Sequence, residues 1–102
     1  MTKFLVIEDA AQAELREATA WYEDKRTGLG ADFFDEVLEA LELIQHFPAL
    51  GAGVPRVSSK RGVRRLPLRR FPYSIVYRDT ENEIQVVAVA HHRRKPGYWS
   101  SR

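Results

Sequence analysis

Apolar and polar positions change their period along the chain, and each change marks an element. Lys3–Ile7 is a short apolar run of β-formers, which predicts a buried strand. Glu8 and Asp9 close it, and Asp9 is the expected N-cap of a helix, with carboxylates at the positive end of the dipole. From Ala10 to about Arg26, Ala11, Leu15, Ala18 and Tyr22 recur at helical spacing, with Glu14, Arg16 and Glu17 turned to the other side. Trp21 lies beside that stripe and reads as core. Lys25 and Arg26 suit the carbonyl end of the helix, and Gly28 is the expected stop. Gly30 then opens a second helix with Asp32 in its first turn. Its predicted stripe is Phe34, Val37, Leu38, Leu41 and Ile44, while Asp35, Glu36, Glu39 and Glu42 face elsewhere. Pro48 ends it. The short Thr27–Gly30 turn predicts an antiparallel helix hairpin.

After the hairpin the period shortens to two. Phe47–Lys60, rich in Gly, Pro and Ser, reads as a loop. In Val63–Arg69, alternation puts Leu66 and Leu68 on one face and Arg65 and Arg69 on the other, and Pro67 argues for an edge or a bulge. Tyr73, Ile75 and Tyr77 alternate with Ser74, Val76 and Arg78, and Asp79–Asn82 forms a turn. Ile84–Ala90 is apolar on both parities, as expected of a central strand covered on both sides. Three strands with short connections predict an antiparallel meander. The fold class is α+β: one domain over residues 1–102, ordered β-α-α-β-β-β, with an antiparallel helix hairpin on one face of a small, largely antiparallel sheet.

Charge changes this picture more than bulk composition does. Residues 51–102 carry 12 Lys and Arg against 3 Asp and Glu, whereas residues 1–50 carry 4 against 11. A modest net charge of +2 thus conceals an acidic front half and a strongly basic back half. Such an asymmetry points to partners, since a concentrated basic face attracts nucleic acid or an acidic protein. With no cysteine, neither a disulfide framework nor a Cys-ligated metal site is available. The apolar run at the N-terminus is too short for a signal sequence, and no stretch approaches a membrane span, so a soluble cytoplasmic protein is expected.

Candidate chemistry concentrates in the basic half. Arg64, Arg65, Arg69, Arg70 and Arg78 lie on or beside strands, and Arg93, Arg94 and Lys95 follow the last one. Their planar forks suit phosphate and carboxylate alike, so they describe a surface for RNA, DNA or an acidic protein segment, or else solvated strand edges that block aggregation. His91 and His92 end the last strand and point to opposite faces, with no neighbouring carboxylate to orient a general base. Only His46 joins them, which leaves a metal site unsupported. Tyr98 and Trp99 form an aromatic tail beside three cations. Trp99 reads as a cover for the core's edge, and Tyr98 stays open between that role, base stacking and partner anchoring. No Gly-rich phosphate loop, Ser/His/Asp set or carboxylate pair occurs, no cofactor is expected, and the acidic residues fall on helix faces expected to be solvated.

Trp21-Tyr22-Glu23, then Gly28-Leu29-Gly30 and Phe33, then Phe47-Pro48, form an ordered set. It continues with Val63-Arg64-Arg65, Arg69-Arg70-Phe71-Pro72-Tyr73, Ile75 and Tyr77, and finishes with His91, Arg94, Pro96 and Tyr98-Trp99. This set resembles the RelE/ParE superfamily of toxins from type II toxin–antitoxin systems over essentially the whole chain. The resemblance implies a growth-inhibiting, plasmid-stabilising toxin whose partner is a cognate antitoxin protein, with operator DNA reached only through that antitoxin and no membrane contact. It also implies one of two targets. RelE-like members cleave mRNA on the ribosome with scattered basic side chains and a tyrosine, whereas ParE-like members inhibit DNA gyrase by binding it. The strand Tyr73–Tyr77 departs from the RelE-like pattern, because Ser74 stands where those enzymes carry an arginine implied to contact the scissile phosphate. That favours the ParE-like branch, acting without catalysis. In the alternative nuclease reading, Arg65, Arg69 or Arg78 would supply the charge and His91 or Tyr98 the proton transfer. A non-toxic binding module of the same fold is the third reading.

Overall fold

The computed structural model describes residues 2–54 and 62–102. The chain runs β1 (Phe4–Ile7), α1 (Asp9–Lys25), α2 (Leu29–His46), β2 (Ala52–Gly53), β3 (Val63–Pro67), β4 (Tyr73–Asp79) and β5 (Glu83–His91), and closes with a 3-10 turn at Tyr98–Ser101. The sheet order is β1-β5-β4-β3-β2. β5-β4-β3 is the expected antiparallel meander, and β1 returns beside β5 in parallel. The short β2, inside a segment expected to be only loop, pairs with β3 at Arg64 and Arg65. The remainder of that loop, residues 55–60, and Arg61 lie outside the described residues. Pro67 extends past the part of β3 that β2 covers, so its missing N–H breaks no ladder there.

The helix hairpin forms because its connection is built around two glycines and a carboxylate. Gly28 sits at φ 90°, the left-handed region that glycine enters without a Cβ penalty. Glu23 reaches over the turn and accepts hydrogen bonds from the Gly28 and Gly30 amides at 3.0 Å each, so α1 caps the start of α2. At Gly30 the helices approach so closely that a Cβ would lie 2.6 Å from the Thr19 carbonyl oxygen. The N-cap of α1 is Glu8, without a side-chain cap, rather than Asp9, which already belongs to the helix.

Both helices cover one sheet face, where Leu15, Phe33, Val37, Ile44, Ile75, Tyr77 and Ile84 form the main core. The second helix is rotated relative to the expected stripe. Phe33 is fully buried, while Phe34 and Leu38 are exposed. α2 packs against α1 and the sheet at once, so its buried arc spans Gly30, Phe33, Val37, Ala40 and Ile44, and two adjacent phenylalanines leave that phase undecided in sequence. Trp21 is likewise not core: it is 55% exposed, on the shoulder of α1.

β5 is covered on both faces, though unequally. Ile84, Val86 and Val89 face the helices, whereas Val87, Ala88 and Ala90 join Val63, Val76 and Trp99 in a smaller cluster opposite. Val76 pairs with Ala88 and Tyr77 with Val86, so Val87 is the extra residue of a β-bulge. The bulge inverts the alternation, which is part of why both parities read as apolar. Trp99, 6% exposed, seals the smaller cluster as expected. Among the described residues no helix is long and apolar enough to cross a membrane.

Candidate functional site

The arginines of the basic half do not form one surface. On β3, Arg64 shares the helix-side face with Leu66, and its guanidinium donates to the Gly51 carbonyl at 2.8 Å. Tyr77, fully buried, completes that clamp by accepting from the Gly51 amide at 2.8 Å and donating to the Pro48 carbonyl at 2.7 Å. Arg65 and Arg78 lie on the opposite, helix-free face, register partners of Val76 and Val63. The Arg78 Nε is buried and has no hydrogen-bond partner among the described residues.

Arg69 does not share Arg65's face, because the strand ends at Pro67 and the chain bends. The Arg69 and Arg70 amides both donate to one oxygen of Glu36, at 2.6 and 3.0 Å, and Arg70 Nε donates to the other at 2.9 Å. Glu36 is 4% exposed, although the sequence pattern put it on a solvated face. Burial pulls its pKa up, but these hydrogen bonds outweigh that and hold the carboxyl below its ordinary 4.5. Arg69 also reaches Glu39, in an exposed pair.

At the far end of β5 a half-buried carboxylate does similar work. Where β1 stops, the edge of β5 is completed by side chains: Glu14 accepts from the Val89 amide at 3.1 Å, and Arg102 donates to the Val87 carbonyl at 3.1 Å. The same two side chains form a bidentate pair, both N···O distances being 3.0 Å. Tyr98 donates its hydroxyl to Glu14, with the Arg94 guanidinium 3.9 Å from its ring centroid. Burial raises the Glu14 pKa, but Arg102, Tyr98 and the Val89 amide bring it below the usual carboxylate range. Burial and that carboxylate push the Tyr98 hydroxyl well up, so it stays protonated.

His91 faces the helix side, edge-on to Tyr73 with centroids 4.9 Å apart, and its Nδ1 accepts from the Arg93 amide at 3.0 Å. Burial, with repulsion from Arg93 and His92, holds its pKa below 6.5. His92 instead meets the Ser74 hydroxyl at 2.9 Å, and Ser74 is 1% exposed. Ser74 and His92 thus occupy each other across β4 and the end of β5.

Of the residues a nuclease would need, His91 and Tyr98 line one cleft together with Arg93 and Arg94. Arg65 and Arg78 are on the other sheet face, and Arg69 is drawn to α2. Among the described residues no cluster of three or more His, Asp or Glu could hold a metal ion. Two participants were invisible in sequence. Glu14 is 75 residues from Val89, and Trp21 looked like core. For Trp21 the available signal was its place one residue off the apolar stripe.

Four of the residues that carried the sequence resemblance converge on packing. Tyr22, Phe33, Phe71 and Tyr73 form one aromatic cluster, with Tyr22–Phe33, Tyr22–Phe71 and Phe33–Tyr73 centroids 5.1, 4.9 and 5.1 Å apart. They define a fold.

The profile of the ParE toxin of the type II toxin–antitoxin system parDE matches residues 5–96. A solved structure of the chromosomal ParDE toxin–antitoxin system from P. aeruginosa is similar at a TM-score of 0.74 and 26% identity, over 88% of this chain and 96% of that one. The free state of E. coli toxin RelE, in a double-arginine mutant, is similar in fold at a TM-score of 0.67 and 19% identity, over 91% of this chain and 86% of that one. No curated protein matches significantly. The chain belongs to the ParE toxin family of type II toxin–antitoxin systems.

Proposed function

We propose that this toxin is neutralised by a small antitoxin encoded beside it and arrests growth by binding DNA gyrase, without cutting RNA. What carries the reading is the fate of the position that would hold a phosphate-binding arginine. Ser74 is buried there and occupied by His92. Of the other groups that phosphodiester cleavage would recruit, His91 and Tyr98 share a cleft, but Arg65, Arg69 and Arg78 lie apart from them. The Tyr98 hydroxyl is donated to Glu14, and Arg65 and Arg78 sit across the sheet from His91. Cleavage needs charge stabilisation and proton transfer at one phosphate, and groups on opposite sheet faces cannot meet there. Inhibition by binding requires only a complementary surface.

The test is a cell-free translation reaction with purified protein, scored for protein output and message integrity, followed by gyrase supercoiling of plasmid DNA. Intact message with blocked supercoiling is the expected result. Discrete cuts that appear only with ribosomes would establish a RelE-type nuclease instead. Normal translation and normal supercoiling would favour a non-toxic binding module.

A further inference from the structure

Between the outer shoulder of α1 and the end of β5 lies a cleft of about 750 Å³. This is the size of a pocket that takes a compact ligand or a few side chains. Tyr22 and Tyr73 form its wall, Trp21 stands at one rim, and Arg93 and Arg94 stand at the other. Trp21 is exposed although its ring stands perpendicular to that of Tyr22 with centroids 5.1 Å apart, so a large apolar surface is left open beside a cationic rim. Trp, Tyr and Arg are the side chains that dominate binding hot spots, because each offers large area together with directed polarity.

The charge of the rim indicates the occupant. Glu14 is already consumed by Arg102 and Tyr98, so Glu17 alone opposes Arg93, Arg94 and the adjoining Lys95. The Tyr22 and Tyr73 hydroxyls have no hydrogen-bond partner among the described residues, and burial raises both pKa values, so they remain donors. Donors and cations around an apolar floor suit carboxylates and peptide carbonyls flanking one apolar side chain. A nucleic acid suits the cleft less well, because the ring faces on which its bases would stack already engage cations, Lys25 being 4.6 Å from the Trp21 centroid and Arg94 3.9 Å from that of Tyr98.

We propose that this cleft receives an acidic, amphipathic segment of the neutralising partner, with an apolar side chain seated between Trp21, Tyr22 and Tyr73 and carboxylates on Arg93 and Arg94. The proposal rests on the antitoxin reading above and adds the place and chemistry of contact. It leaves the helix-free face, with Arg65 and Arg78, outside the contact.

The probe is the protein encoded by the reading frame adjoining that of this chain, titrated calorimetrically onto wild type, Trp21→Ala, the double variant Arg93→Glu/Arg94→Glu, and Arg65→Glu on the other face. Circular dichroism confirms that each is folded. The expected result is a loss of affinity of about tenfold or more in both cleft variants. Arg65→Glu should bind within about twofold of wild type, and wild-type affinity should fall with salt. Wild-type affinity in both cleft variants would overturn the cleft while leaving the antitoxin reading intact. A wild-type chain that does not bind this protein would overturn the antitoxin reading, and the proposal with it. A fluorescein-labelled single-stranded RNA that binds wild type and is lost in the same two variants would overturn the assignment to a protein segment.

Discussion

Glu36 shows how one side chain decides the path of the backbone. The turn from β3 into β4 leaves the Arg69 and Arg70 amides pointing inward, where only a buried acceptor satisfies them, and Glu36 accepts from both. Replacing it by alanine should cost about 2 kcal/mol, the worth of charge-assisted hydrogen bonds to a buried group. Chemical denaturation measures this, and an unchanged midpoint would show that water serves the turn as well. Tyr77 is the counterpart elsewhere on the same, helix-covered face of the sheet. Tyr77→Phe leaves the Gly51 amide and the Pro48 carbonyl unpaired and should cost about 1–3 kcal/mol. A Cβ at Gly51 would lie 2.7 Å from the same hydroxyl, so that loop admits no side chain without moving Tyr77. Neither role was legible in sequence. Helical periodicity reports which side of a helix is charged, and an acceptor needed 33 residues away leaves no local mark.

At the scale of elements, the hairpin and the β5 edge depend on contacts that cross between them. Gly30→Ala places a methyl group against the Thr19 carbonyl, and overpacking of that kind costs about 1–3 kcal/mol. A melting temperature equal to wild type would mean that the helices separate at no cost. β5 extends beyond β1, and a bare edge there would invite pairing with another chain. Glu14 and Arg102 fill it, one as acceptor and one as donor, which is the work of a neighbouring strand done by side chains. Glu14→Ala should therefore lower the melting temperature and speed exchange of the Val89 amide, read by hydrogen exchange. Wild-type protection at Val89 would remove Glu14 from this role. Element types and order followed from periodicity, because amphipathic helices and alternating strands print their period on the chain. The phase of α2, the bulge at Val87 and the two-residue β2 did not, since each is fixed by what packs against it.

Across the whole molecule, the charge asymmetry is partly spent inside the fold. Each of the four ion pairs among the described residues joins the front half to the back half: Lys3–Asp79, Arg69–Glu39, Arg70–Glu36 and Arg102–Glu14. What remains for partners includes Arg65 and Arg78 on the helix-free face and Arg93 and Arg94 at the β5 end, none of them in an ion pair among the described residues. The same groups set the response to acid. Glu14, Glu36 and His91 all have folded pKa values below their ordinary ones, so each contributes stability that is present above its unfolded pKa and lost as pH falls through its folded one. Stability should therefore decline from pH 6.5 downward as His91 takes a proton, and further below 4.5 as the carboxylates do. Melting temperatures across this range check it, and His91→Gln should flatten the upper segment alone. An upper segment as steep as that of wild type would assign the effect elsewhere.

The sequence by itself determined the order of elements, the helix hairpin, the antiparallel meander, the cover supplied by Trp99 and the family. Each of these rests on local spacing, on a glycine or proline at a set place, or on an ordered set of aromatic residues that pack together. Only the tertiary structure decided which charges meet. A carboxylate finds its partner by distance in space, so Glu14 and Glu36 became acceptors for backbone amides, Arg65 and Arg69 were parted onto different sides, and Trp21 was left open beside Arg93 and Arg94.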